Sequence, residues 1–392
     1  MKRSAKGKTQ LALLGAAHSL NHSLFVIAPP LLGLIMSSLN VTKSEIGLVT
    51  AIASLLYGVG ALAGGPLGDK IGEVRTITIC LAFSGLSAFI MLATGPTATV
   101  YIYALALILI AIWASLYHPT ANSLISKAFK GKVSESMGLH GVGGTLGVVL
   151  TPTIAWFIGA TYGWPWAFAT FGVLSIMVAV LFAKSFGKTI ERNSNGGTIL
   201  DALKIRELWV LLIFNIAIGL FMKGIELFFP TFLKENRAID PMWASIAYTL
   251  VLAAGVPAQW IGGKASDKVG SKRVLIATST GICISLLSLL LFPVPIIGIG
   301  LFIAFYGFCF YAHQPALNSL TGFYCPENQR GAVYGIFFFT SFGIGSIAQV
   351  IGGYIADVYS LSMAFFLFTA FALAALLLSF KLPERQEAKL QT

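Results

Sequence analysis

Residues 65–72 read GPLGDKIG and residues 263–270 read GKASDKVG, so Gly65, Asp69, Lys70 and Gly72 recur as Gly263, Asp267, Lys268 and Gly270. A second match sets HPTANSL at 118–124 against QPALNSL at 314–320, at almost the same offset. Each copy of the first motif closes one long apolar run, and each copy of the second lies within another. Two matches in equivalent runs point to duplicated halves, a recurring design of membrane carriers. The halves are expected at 1–185 and 208–392. The polar stretch between them, 186–207, contains ERNSNGG and reads as a flexible linker.

Of the 392 residues, 56% are hydrophobic and only 10% are charged. A water-soluble domain carries roughly 25% charged residues, so much of this surface must face lipid. A bilayer core about 30 Å thick takes about 20 helical residues. That ruler gives six spans in the first half, at 11–36, 46–67, 76–94, 100–126, 136–160 and 165–184. Six more follow at 208–232, 242–264, 274–292, 296–323, 331–355 and 363–381. Of the 26 Lys and Arg residues, only Lys43, Lys234 and Arg237 fall in loops on one side, and Lys223 falls inside a span. The rest share the opposite side with both chain ends. Because positive loops stay in the cytoplasm, both termini are expected there, in a multi-pass protein of the cell membrane.

Several function classes are excluded by pattern. The formal charge of +11 comes from short basic clusters between apolar runs, not from a basic face, so no nucleic-acid partner is expected. Cys80, Cys283, Cys309 and Cys325 show no spacing suited to a disulfide framework or zinc, and no metal or other cofactor is expected. The glycines Gly141, Gly143, Gly144 and Gly147 lack the lysine and serine of a nucleotide loop and read as close helix packing. No HExxH or GxSxG constellation is present, so the chain is not expected to be an enzyme.

With Arg75 just beyond the first motif, and Lys272 and Arg273 just beyond the second, the two G-x-x-x-D-K-x-G segments resemble the signature loop of the major facilitator superfamily. The resemblance implies an all-α membrane protein: twelve transmembrane helices in two six-helix, pseudo-symmetric halves around a central cavity. Rocking of the halves would open that cavity to each side in turn. It also implies a conformational role for Gly65, Asp69, Lys70, Gly72 and Arg75 and for the second-copy Gly263, Asp267, Lys268 and Gly270. HPTANSL followed by MGLHGVGGTLGVVLTP at 137–152 is similar to fosmidomycin-resistance-type exporters.

Ionisable groups inside a span are expensive and usually face a cavity, which makes each a candidate for function. Lys223 and Glu226 lie three apart on the seventh span and so share a face. His18, Asn21 and His22 make one face of the first span polar, and the resemblance implies that the first and seventh helices line the cavity together. His118 and His313 accompany helix-interrupting prolines, where they either satisfy freed backbone groups or line the cavity. Asn122 and Asn318, the repeated pair, either line it or pack the helices. Lys223 and the histidines against one carboxylate favour a small organic anion as substrate. The function expected is proton-coupled secondary transport of that anion by a monomer, with Glu226 and His22 as proton carriers. Proton-driven drug efflux is the second reading; a receptor or channel, lacking any legible pore or sensing domain, is the remote one.

Overall fold

The computed structural model describes residues 5–94, 100–129, 133–186, 204–325 and 330–384. Twelve helices in it are long and apolar enough to cross a membrane. The first half holds α1 (Lys6–Leu39), α2 (Lys43–Gly64), α3 (Glu73–Ala93), α4 (Val100–Ala128), α5 (Ser136–Tyr162) and α6 (Trp164–Phe186). The second holds α7 (Arg206–Arg237), α8 (Pro241–Val269), α9 (Ser271–Leu291), α10 (Pro295–Tyr324), α11 (Ala332–Val358) and α12 (Leu361–Ser379). The expected spans are all present, but several helices outrun them: α1 starts at Lys6 rather than 11, and α7 ends at Arg237 rather than 232. Hydropathy marks only the part of a helix in hydrocarbon, whereas backbone hydrogen bonding continues into the interface. Most of the expected linker lies outside the described residues, and helices reach its two ends at Phe186 and Arg206.

Within each half the packing repeats. Thr120 Oγ1 on α4 donates to the Gly64 carbonyl of α2 at 2.9 Å. In the equivalent pair, a Cβ added at Gly262 of α8 would lie 2.3 Å from the Ala312 carbonyl oxygen of α10. Small residues thus let backbones meet, as is usual in membranes, where lipid supplies no apolar driving force between helices. On α5, Gly143, Gly144 and Gly147 do this against Gly15, His18 and Ser19 of α1. Gly141 does not: nothing lies within 4 Å of a Cβ placed there.

Local chemistry sets the breaks. Pro29 and Pro30 lack the N–H groups that a continuous α1 would use, and the α-helix is interrupted at Ile27 between Val26 and Ala28. Single π turns interrupt α10 at Phe302–Tyr306 and α11 at Phe339–Ile344. The helix of α2 runs on past its span to Ile71, and the repeated glycines Gly72 and Gly270, with φ values of 94° and 92°, each sit at the joint between two helices. A side chain is strained at such angles, by about 1–3 kcal/mol. Gly72→Ala and Gly270→Ala are therefore each expected to lower the thermal unfolding midpoint of the detergent-purified protein; unchanged midpoints would mean that the joints relax freely.

The halves meet through α2 with α11 and through α5 with α8, pairings related by the same pseudo-symmetry. Ser245 Oγ on α8 donates to the Pro152 carbonyl of α5 at 3.0 Å, and the Thr153 and Thr249 hydroxyls are 2.7 Å apart. At the end of the bundle away from the termini, Asp357 of α11 accepts from the Lys43 and Ser44 amides at 3.1 and 2.7 Å. A carboxylate from one half thereby caps the N-terminus of a helix from the other, where the helix dipole favours it. Lys43 Nζ adds an ion pair to Glu235 at 3.1 Å. This end is shut. Asp357→Ala is expected to raise, several-fold, labelling of a cysteine placed at Ala53 by an impermeant thiol reagent supplied from that side. Unchanged labelling would show that the cap does not hold the end closed.

Candidate functional site

On α7, Lys223 and Glu226 stand one turn apart, with Nζ 2.7 Å from Oε2. Lys223 is 4% exposed, whereas Glu226 keeps 25% of its side-chain surface. The ammonium lies 4.2 Å above the Phe342 ring, a cation–π contact across to α11. Phe342 belongs to the π turn of that helix. Asn215 of α7 pins the same region by donating to the Phe337 carbonyl at 2.7 Å and the Thr340 hydroxyl at 2.8 Å. Beside the ion pair lies a cleft lined by Phe25, Thr50, Ser54 and Leu107 from the first half and by Leu227 and Gln349 from the second. Gln349 Oε1 is buried there without a hydrogen-bond partner. The cleft therefore spans both halves and offers one cation, one carboxylate and the unpaired Gln349 oxygen within a largely apolar lining. Such a setting can orient a small polar solute.

A second polar group lies in the first half. His18 Nδ1 is 2.8 Å from the His140 carbonyl, and His22 Nε2 is 3.0 Å from His18 Nε2. The His18 ring stacks on His140 at 4.1 Å between centroids, and His118 closes on both His18 and His22 at 5.1 Å. Tyr117 ties the group together, donating to the Leu14 carbonyl at 2.9 Å and meeting His140 Nε2 at 3.0 Å. One ring nitrogen from each of His18, His22 and His118 falls within 4.8 Å of the others. Among the described residues this is the set that could hold a metal ion.

Among the described residues no hydrogen bond or ion pair joins the polar face of α1 to the Lys223–Glu226 pair. Between them stand Phe338 and Phe342, stacked at 4.4 Å, with Phe338 against the His118 ring at 5.3 Å and Tyr57 beside both phenylalanines. Asn21 turns to this layer, donating to the Tyr57 hydroxyl at 3.2 Å. His313 lies apart from the cluster, buried in the second half with Nδ1 bonded to the Phe310 carbonyl of its own helix. Asn122 and Asn318 are both exposed, matching each other as the repeat implies, and the Asn318 carbonyl accepts from Tyr334. Lys70, Arg75, Asp267 and Lys268 are exposed at the end that carries the termini. The side chain of Asp69 and the surroundings of Gly65 lie outside the described residues. Phe338, Phe342, Tyr57 and Asp357 were not foreseen. In sequence, the aromatics are indistinguishable from lipid-facing ones, and Asp357 looks like an ordinary helix-end acid.

The sequence profile of the Major Facilitator Superfamily matches residues 11–350. The chain belongs to the major facilitator superfamily. It is a membrane transport protein and not an enzyme, and its twelve helices show the superfamily's fold. The fosmidomycin resistance protein of Escherichia coli is 24% identical over 379 residues, covering 92% of this chain and 90% of its own. The probable sulfoacetate transporter SauU of Cupriavidus necator is 24% identical over 259 residues, covering 60% and 59%. Among solved structures, a bacterial homolog of the human lysosomal transporter Spinster, in an inward-facing and unoccupied conformation, superposes with a TM-score of 0.78. It shares 15% identity and covers 97% of each chain, which shows the fold alone. As a superfamily member the chain moves a small molecule across a membrane.

Proposed function

We propose that the protein is a proton-coupled carrier of a small organic anion, acting as a monomer in the cell membrane with both termini in the cytoplasm. The observation that carries this reading is the buried Lys223 ammonium at the wall of a cleft between the halves, next to a carboxylate that is a quarter exposed. A buried ion pair contributes little net stability compared with apolar replacements, which argues against a purely structural purpose. An anion entering the cleft competes with Glu226 for the ammonium. The displaced carboxylate is then the site at which a proton travels with the anion. With the termini in the cytoplasm, the Asp357 cap and the Lys43–Glu235 pair hold the halves together at the outer end, which supports an inward-facing reading. A relative named as a probable transporter of sulfoacetate, itself a small organic anion, fits the same reading.

The aromatic layer of Phe25, Tyr57, Phe338 and Phe342 favours a second reading, proton-driven efflux of amphipathic drugs. Purified protein in vesicles under an imposed pH gradient separates the two. The first reading expects accumulation from a panel of carboxylates, sulfonates and phosphate esters and none of lipophilic cations. The reverse selectivity would replace it with the second.

A further inference from the structure

The histidine cluster has no task in the anion site, and its geometry points elsewhere. We propose that His18, His22 and His118 bind one divalent transition-metal ion of the zinc class, with the fourth coordination position left to a non-protein ligand. A backbone carbonyl only accepts, so the contact of His18 Nδ1 with the His140 carbonyl places the proton on Nδ1 and leaves a lone pair on Nε2. Metal-binding imidazoles are oriented in this way, by a hydrogen bond from the nitrogen that does not bind the metal. The lone pair faces His22 Nε2 at 3.0 Å, so in the metal-free protein that nitrogen carries the shared hydrogen. A cation takes its place once His22 moves the proton to its own Nδ1. No net proton is released. The third nitrogen, His118 Nε2, is buried and has no hydrogen-bond partner. A buried polar atom without a partner is uncommon, and a ligand that completes it is one explanation.

Spacing and chemistry agree. Zinc holds nitrogen at about 2.0–2.1 Å, so tetrahedral ligand atoms lie roughly 3.4 Å apart. His18 and His22 are already nearly that close, and the widest separation in the trio is at most 4.8 Å. A modest inward swing of one ring completes the site. Three neutral imidazoles with no carboxylate suit zinc, nickel or copper rather than magnesium or calcium. The surroundings are built to hold the rings: a Cβ on Gly144 would sit 2.4 Å from the His18 ring, which therefore rests directly on the α5 backbone. Tyr117 locks His140, whose carbonyl orients His18.

The test uses the full chain, purified in detergent through a tag that contains no histidine and stripped with chelator, and titrated with zinc by calorimetry and with cobalt by visible absorption. One zinc per chain is expected, with the intense bands of four-coordinate cobalt. His22→Ala and His118→Ala should each weaken zinc binding at least tenfold, while His313→Ala, outside the cluster, leaves it unchanged. His22→Cys supplies a thiolate ligand and should restore it. Thermal unfolding without metal checks that each variant is folded, and added zinc should raise the midpoint of the parent but not of His118→Ala. Zinc affinity that is the same in the parent, His22→Ala and His118→Ala, or no stoichiometric binding, overturns the proposal. Lys223→Met and Glu226→Gln should keep metal binding intact, so failure here is distinct from failure of the anion reading.

Discussion

Glu226→Gln is expected to abolish proton-driven accumulation of an organic anion while leaving exchange of substrate for substrate close to the parent rate. Gln keeps the size and hydrogen-bonding capacity of Glu but cannot take up or release a proton. Lys223 then meets an amide instead of a carboxylate, and the anion no longer competes with a fixed negative charge. Binding is preserved or tightened, and the carrier still cycles when loaded. What disappears is the link between protonation and an occupied site. Parallel measurement of counterflow and of pH-driven uptake in the same vesicles checks this. Loss of both activities in a folded variant would place Glu226 in binding or in helix packing rather than in coupling.

Lys223→Ala should act on binding itself. Truncating one member of a buried, hydrogen-bonded charge pair costs about 2–5 kcal/mol, so the dissociation constant for an anionic substrate should rise by at least about 30-fold. The ammonium is 4% exposed, so water cannot readily replace it. Its removal also strips Phe342 of its cation–π partner and leaves Glu226 without its cation, and some loss of stability accompanies the loss of affinity. Lys223→Arg provides the check, because it keeps the charge but changes the shape of the donor. Affinity that follows charge, and not size, identifies Lys223 as the anion's partner. Equal binding by the Ala variant and the parent would remove it from the site.

Sequence patterns exposed the parts of this molecule that repeat or that violate the lipid rule. The duplicated GxxxDKxG and the long apolar runs exposed the two halves and the twelve spans, because hydrocarbon tolerates little else. Lys223 and Glu226 were visible for the same reason: two charges on one helical face in an apolar run are costly, whether they serve as a structural ion pair or face a cavity. His18 and His22 were visible as neighbours four apart. Their meeting with His118 and His140 was not, because it depends on α1 seating against α5 at Gly143 and Gly144, a contact between segments 128 residues apart in the Gly15–Gly143 pair. Phe338 and Phe342 were hidden for a different reason. A π turn shifts the register of α11 by one residue, and no hydropathy period reports such a shift. The inter-half cap by Asp357 was likewise illegible, since its partners are backbone amides that carry no residue identity.

The central claim is that anion binding and proton binding meet at one ion pair on α7. The most direct measurement is pH-driven uptake, in vesicles, by the double replacement Lys223→Met with Glu226→Gln, which removes both charges together and leaves no unpaired ion behind. Thermal unfolding in detergent confirms that the variant is folded. Substrate uptake in the presence and absence of a proton gradient should then be indistinguishable, with no accumulation above equilibrium. Accumulation against a gradient by that folded variant would contradict the account and move proton coupling to the histidines of the first half.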